Sequence, residues 1–221
     1  EANPNWYLKL TGGLIVGFSL AKSAIIPQLF PQTALKDATS PTPDRLDAWL
    51  RIAKDGTVQV FTGKMDVGSG VQTAFSQIVA EELDIAPQNV TFVMADTAMT
   101  PDQGGTGASS SIAQGSKPLH GVAATARFLL LQLASSRLGV PVEQLQVKNG
   151  IVSVKGNESR NVSYAALVEQ NNLSDALRVS GAGFTVNVEG KGKPKDPATY
   201  TIVGKSIPRV RFPASATKGA S

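Results

Sequence analysis

The sequence predicts an α+β fold in which mixed sheet hairpins alternate with helices. Three observations predict it. Alternating apolar runs are joined at Asp55-Gly56 and again at Asn149-Gly150, both hairpin turn signals. Two runs, about Val71 to Leu83 and about Pro118 to Leu138, carry apolar residues at helical spacing or a long apolar stretch. Each of these helices follows a polar loop rich in glycine.

In chain order, the first element is a signal-like run. Lys9 precedes an uncharged stretch from Leu10 to Ala21, similar to the hydrophobic region of an export signal. A membrane span needs roughly 20 apolar residues, so the run is short for one. An ordinary buried N-terminal helix is the competing reading. "PQTALKDATSPTPDRL" then reads as a linker. Residues 1–46 are thus expected to be a signal or anchor segment with its linker, 47–180 the domain, and 181–221 an extended connector. The segment suggests a periplasmic or membrane-associated protein, with a cytoplasmic one as the alternative.

The domain opens with "AWLRIA" and "TVQVFTG", a hairpin in which Trp49, Arg51 and Ala53 share one face and Leu50 and Ile52 the other. In the first helix Phe75, Ile78, Val79 and Leu83 line one side. Glu81, Glu82 and Asp84 sit at its C-terminal end, unfavourable for the helix dipole. Pro87 stops it. "NVTFVMADT" is a strand, and the loop "AMTPDQGGTGASSSIAQGS" leads to the long helix, which Gly139 caps. "VPVEQL" is one helical turn, "QVKNGIVSVKG" a hairpin, and "NVSYAALVEQN" a short helix with Ser163 as its N-cap. From Gly181 on, the Gly, Lys and Pro content reads as a connector.

Composition narrows the function. The 221 residues are 42% hydrophobic and 17% charged, which suits a folded globule. The net charge of +4 is mild, and no basic run interleaved with aromatics points to nucleic acid. With no cysteine, this chain offers no disulfide, thiolate cluster ligand or cysteine nucleophile. One histidine, His120, excludes a zinc site built from His and Cys. His120 is read as structural. A Ser109–His120–Asp102 triad, and with it a small serine hydrolase, lacks a nucleophile elbow.

The two glycine loops carry the chemistry. Bare amides ahead of a helix N-terminus receive anions. Neither loop is a Walker A loop, and "GSGVQT" does not fit G-x-G-x-x-G. Taken alone, such loops are usually turns.

"DAWLRIAKDGTVQVFTGKMDVGSGVQTAFSQIVAEELDI", "DQGGTGASSSIAQGSKPL" and the closing "YTIVGKSIPRVRFPASATKGAS" resemble, in order, the molybdenum-binding large subunits of the xanthine oxidase family. The isoquinoline 1-oxidoreductase beta branch, with its aldehyde dehydrogenase relatives, is the most similar. The resemblance implies the first part of a molybdopterin-binding subunit. It implies that Gly68, Ser69, Gly70 and Thr73 pack against a molybdopterin cytosine dinucleotide, with Ser69 standing where the family usually has glutamine. It implies that Gly105, Thr106, Gly107, Ala108, Ser109, Ser110, Ser111 and Gln114 pack beside the pterin and the metal's ligands.

The implied chemistry is hydroxylation of an aldehyde or N-heterocycle with oxygen from water. Electrons pass to a [2Fe-2S] small subunit and on to haem in a cytochrome c subunit. The family's catalytic glutamate lies in a glycine-rich motif near the end of the full subunit, and Glu81 and Glu82 do not match it. The remainder of the molybdenum subunit is therefore an implied partner, and no catalytic residue or metal ligand is assigned here. A non-catalytic assembly domain derived from such a subunit is the other reading.

Overall fold

The structure, a computed structural model, describes residues 41–169 and 173–209. The signal-like run from Leu10 lies outside the described residues. Among the described residues the architecture is α+β, with small mixed and antiparallel sheets and three α-helices.

The first sheet is mixed. Strand β1 (Leu50–Ile52) pairs antiparallel with β2 (Val58–Thr62), which pairs in parallel with β3 (Val90–Met94). Helix α1 (Val71–Leu83) is the crossover between β2 and β3, as a parallel connection requires. At the β1–β2 turn Gly56 takes φ +85°, a conformation that glycine reaches without steric cost. Alternation groups Trp49 with Arg51, which is exposed. Instead Trp49 is fully buried, because it closes a 3-10 turn over Leu46–Ala48 before the strand begins. Its indole N–H donates to the Pro43 carbonyl at 2.9 Å.

Helix α1 occupies the expected span, and Phe75, Ile78, Val79 and Leu83 are buried as predicted. Helix α2 (Ser111–Leu138) differs: it begins seven residues before the expected Pro118, which lies inside it. A proline in a helix interior removes one hydrogen bond and costs about 3 kcal/mol or more. Burial of Pro118 and its neighbours Gly115, Leu119 and Val122 offsets that cost. Ser111 and Gln114 are therefore helical, not loop, residues.

The second sheet is an antiparallel meander of β4 (Leu145–Lys148), β5 (Ile151–Val154) and β6 (Asn157–Ser163). Asn149 and Gly150 turn the first hairpin with φ of 51° and 74°, the mirror-image turn their sequence predicts. Strand β6 is unpredicted, since "NESRNV" has no apolar alternation and five of its seven residues are exposed. Helix α3 (Tyr164–Val168) starts where Ser163 Oγ accepts the Ala166 N–H at 3.2 Å.

The expected connector after Gly181 is packed into the core. Strands β7 (Arg178–Ser180) and β8 (Asn187–Glu189) form a hairpin, with Val186 and Val188 buried. The backbone beyond β8 lies so close to α2 that a Cβ at Gly192 would sit 2.0 Å from the Ala124 carbonyl oxygen. Short strands and glycine contacts leave no hydrophobic period to read.

The strap that follows is fastened to the far end of α1. The buried Glu81 carboxylate accepts the N–H groups of Thr201, Ile202 and Val203 at 2.6–3.1 Å. Glu82 accepts the Lys195 N–H at 3.0 Å and meets His120 Nδ1 at 2.9 Å. Asp84 pairs with Arg127 and Lys195. The acids that disfavour the helix dipole thus serve as anchors for the strap.

Candidate functional site

The two glycine loops converge at the N-terminal ends of α1 and α2, which pack against one another. The Met65 N–H donates to Thr106 Oγ1 at 2.8 Å and joins them. Behind that joint Lys64 is fully buried. Its ammonium donates to the carbonyls of Gln103 at 2.7 Å and Gly105 at 2.9 Å, and lies 4.6 Å from the Phe184 ring centroid. Burial pushes the Lys64 pKa down, and Asp102 opposes that shift. The two carbonyl bonds and the ring face replace the water that the ammonium loses.

In the first loop Gly68 and Ser69 are exposed, Gly70 is the residue before α1, and Thr73 lies half-buried in the first turn. Gly68 and Gly70 adopt φ of +99° and +81°, which explains both glycines by conformation. Their amides are occupied. Asp66 Oδ1 accepts the N–H groups of Gly68 and Gly70, each at 3.0 Å, and Oδ2 accepts that of Gln72 at 3.1 Å.

In the second loop Gly105, Gly107, Ala108 and Ser109 are exposed, and Thr106 and Ser110 half-buried. Ala108 and Ser109 hold φ of 51° and 54°, and the Ser110 N–H closes the turn on the Gly107 carbonyl at 3.1 Å. Ser110 precedes α2 and its hydroxyl donates to the Gly107 carbonyl at 2.8 Å. Ser111 is buried in the first turn, and Gln114 accepts from Lys117 at 3.0 Å.

Gln103 supplies a further feature. It is buried, and its Oε1 accepts Thr62 Oγ1 at 2.5 Å and the Gly63 N–H at 2.8 Å. The Gly63 donor fixes which end of the amide is oxygen. Gln103 Nε2 is then a buried donor with no partner. Such an orphan costs about 1–3 kcal/mol, and it stands at the root of the loop that carries most of the candidate residues. A Cβ at Gly107 would meet nothing within 4 Å. An open glycine edge, hydroxyls and an orphaned donor suit a flat, heteroatom-rich ligand such as a pterin.

Sequence reasoning missed Lys64, Asp66, Gln103 and Phe184. The D-x-G spacing of Asp66 and Gly68 is a readable turn signal. The other three act through contacts distant in sequence. The Ser–His–Asp arrangement is not assembled: His120 bonds Glu82 and stacks on Tyr200, while Asp102 accepts the Gly104 N–H. Among the described residues no group of three His, Asp or Glu side chains is placed to hold a metal ion.

Residues 16–212 match the molybdopterin cofactor-binding domain family. One of the subunits of nicotinate dehydrogenase from Pseudomonas putida is 35% identical over 196 residues, 87% of this chain. The beta subunit of isoquinoline 1-oxidoreductase from Brevundimonas diminuta is 27% identical over 195 residues, 76% of this chain. The chain spans 15% of the first relative's length and 25% of the second's. CO dehydrogenase of Oligotropha carboxidovorans shares the fold over 63% of this chain and 18% of its own, with a TM-score of 0.51 at 20% identity.

Proposed function

This chain belongs to the molybdopterin cofactor-binding domain family, in the manner of xanthine oxidase family large subunits, and from that premise we propose that it supplies one wall of a molybdenum-cofactor cradle. The observation that carries the reading is the convergence of the two loops, tied through Met65 and Thr106 with Gln103 orphaned behind them. The wall is the edge from Gly105 to Ser111, with Gln114 one turn on and Ser69 and Thr73 from the first loop beside it. Small residues let the ligand approach closely, and hydroxyls and amides bond its heteroatoms.

When bound, the molybdenum centre supplies the redox chemistry, placing oxygen from water on an electron-poor carbon. This chain's residues hold and orient the ligand, and Lys64 fixes the loop that does so. A molybdopterin cytosine dinucleotide fits the reading. So does an electron path through a [2Fe-2S] small subunit to a cytochrome c. Two similar proteins are named for nicotinate and isoquinoline, both aromatic N-heterocycles, which favours that substrate class over aldehydes. The remainder of the molybdenum subunit completes the site, and the chain alone is inactive.

Gly107→Val tests the wall. A Cβ there meets no protein atom within 4 Å and the backbone is not left-handed, so the melting temperature of the free chain should change little. In the complex assembled with the rest of the subunit, molybdenum and pterin content fall severalfold, while the isolated chain carries neither. Full occupancy in the variant complex, or stoichiometric molybdenum on the chain alone, overturns the proposal.

A further inference from the structure

We infer that Asp66 is the resident anion of the first glycine loop: its carboxylate, not a ligand phosphate, fills the amide nest ahead of α1, with Arg209 of the strap beside it. Asp66 is thereby a positioning residue that gives the loop its shape before any ligand arrives. Its role lies in the amide nest of the first loop and goes beyond the cofactor reading, which rests on the edges where the two loops meet.

The geometry closes on itself. One carboxylate spans the N–H groups of Gly68, Gly70 and Gln72 at 3.0–3.1 Å, and the last two are among the groups that a helix start leaves without partners. Gly70 has no side chain to cap the helix, so Asp66, four residues earlier, takes over the capping. The turns at Gly68 and Gly70 aim their amides inward at one point, which explains the two left-handed glycines without any external anion.

The charge is matched as well. Asp66 is 10% exposed, and Arg209 Nη2 lies 3.5 Å from its Oδ1. Burial works against the carboxylate charge, but the amides of Gln72, Gly70 and Gly68, with Arg209, outweigh it and hold its pKa below the ordinary value. A phosphate entering the same nest would have to displace this carboxylate or sit against it, two anions on one set of donors.

Two carboxylates bracket α1. Glu81 anchors the strap at the helix's C-terminal end, and Arg209 meets Asp66 at its N-terminal end. The strap therefore runs the length of the helix between two carboxylates. What remains for a ligand at the first loop is the outer edge, at exposed Ser69.

The test uses the full 221-residue chain, isotope-labelled for amide spectroscopy. Pyrophosphate is titrated into the native chain and into Asp66→Ala while the Gly68, Gly70 and Gln72 amide signals are followed. The native signals hold still, and those of the variant shift saturably because the emptied nest takes the added anion. Saturable shifts in the native chain, or in neither protein, overturn the inference. Should Asp66→Ala not fold, an acid titration of the native chain decides. The three amides then move with the Asp66 carboxyl signal, at a midpoint below the ordinary carboxylate value, and Arg209→Ala raises that midpoint. Amides that ignore the carboxyl titration overturn the assignment of Asp66. A midpoint unmoved by Arg209→Ala overturns the part given to Arg209. Molybdenum is not read at any step, so the result is independent of the Gly107 test.

Discussion

Ala108 and Ser109 hold the left-handed conformation side by side without being glycine. An L-residue there costs about 1–2 kcal/mol through the approach of Cβ to the backbone. Two in succession make the second loop a strained turn, kept by the Ser110 bonds to the Gly107 carbonyl. Strain of this kind persists where the surrounding structure over-determines it, often at ligand clamps. Replacing both residues with glycine relieves the strain but frees the unfolded chain, which returns about 0.4–1 kcal/mol per site. The double variant Ala108→Gly, Ser109→Gly should therefore be more stable by about 1 kcal/mol, read as a raised urea midpoint at constant slope. A lowered midpoint would show that the two side chains contribute packing that outweighs the strain. The same pair illustrates what sequence conceals: a glycine announces a left-handed turn, whereas alanine and serine there do not.

At the scale of elements, the local signals served well where one residue decides a turn. Asn149-Gly150, Gly139 and Ser163 each do in the structure what their chemistry dictates. Helix α1 was legible because its buried face repeats at helical spacing over a whole span. The start of α2 was not, because Pro118 and the serines read as a loop while tertiary packing carries the helix through them. The strap was illegible for a related reason. Its order comes from carboxylates more than a hundred residues away, and no local pattern marks a strand of amides bound to Glu81. In the candidate site the glycines and hydroxyls could be read, whereas the frame of Lys64, Gln103 and Phe184 could not.

Glu81 makes the strap sensitive to acid. Burial works against its charge, yet the amides of Val203, Ile202 and Thr201 outweigh that and hold its pKa below the ordinary carboxylate value. A carboxylate with a depressed folded pKa contributes stability that is present above its unfolded pKa and lost as pH falls through the folded one. Amides 201–203 should therefore exchange faster with acid, beyond the intrinsic pH dependence, as Glu81 takes up a proton. Glu81→Gln should produce that loosened strap already at neutral pH, at a cost of about 2–3 kcal/mol, because a carboxamide cannot match the acceptor capacity of the carboxylate. Hydrogen exchange of the two proteins across pH checks both statements. Equal protection of 201–203 in the variant would remove Glu81 from the role of anchor.

At the scale of the whole molecule, the described residues contain no helix long and apolar enough to cross a membrane. The candidate segment for a membrane or export role is the run from Leu10 to Leu20, outside the described part. We propose that the protein works on the periplasmic side or at the membrane, directed by that run. The motive is its composition: Lys9, then an uncharged apolar stretch, then small residues and a proline-bearing linker before the domain at Asp47. The stretch "NPNWYLKL" lacks the arginine pair of a twin-arginine signal, so the run would act by its apolar length rather than by that motif. Two measurements on cells carrying the native gene decide. Fractionation should place the protein in the periplasm or with the membrane, and deleting residues 10–20 should return it to the cytosol while leaving the folded domain intact. Recovery in the cytosol with and without the run would refute the location.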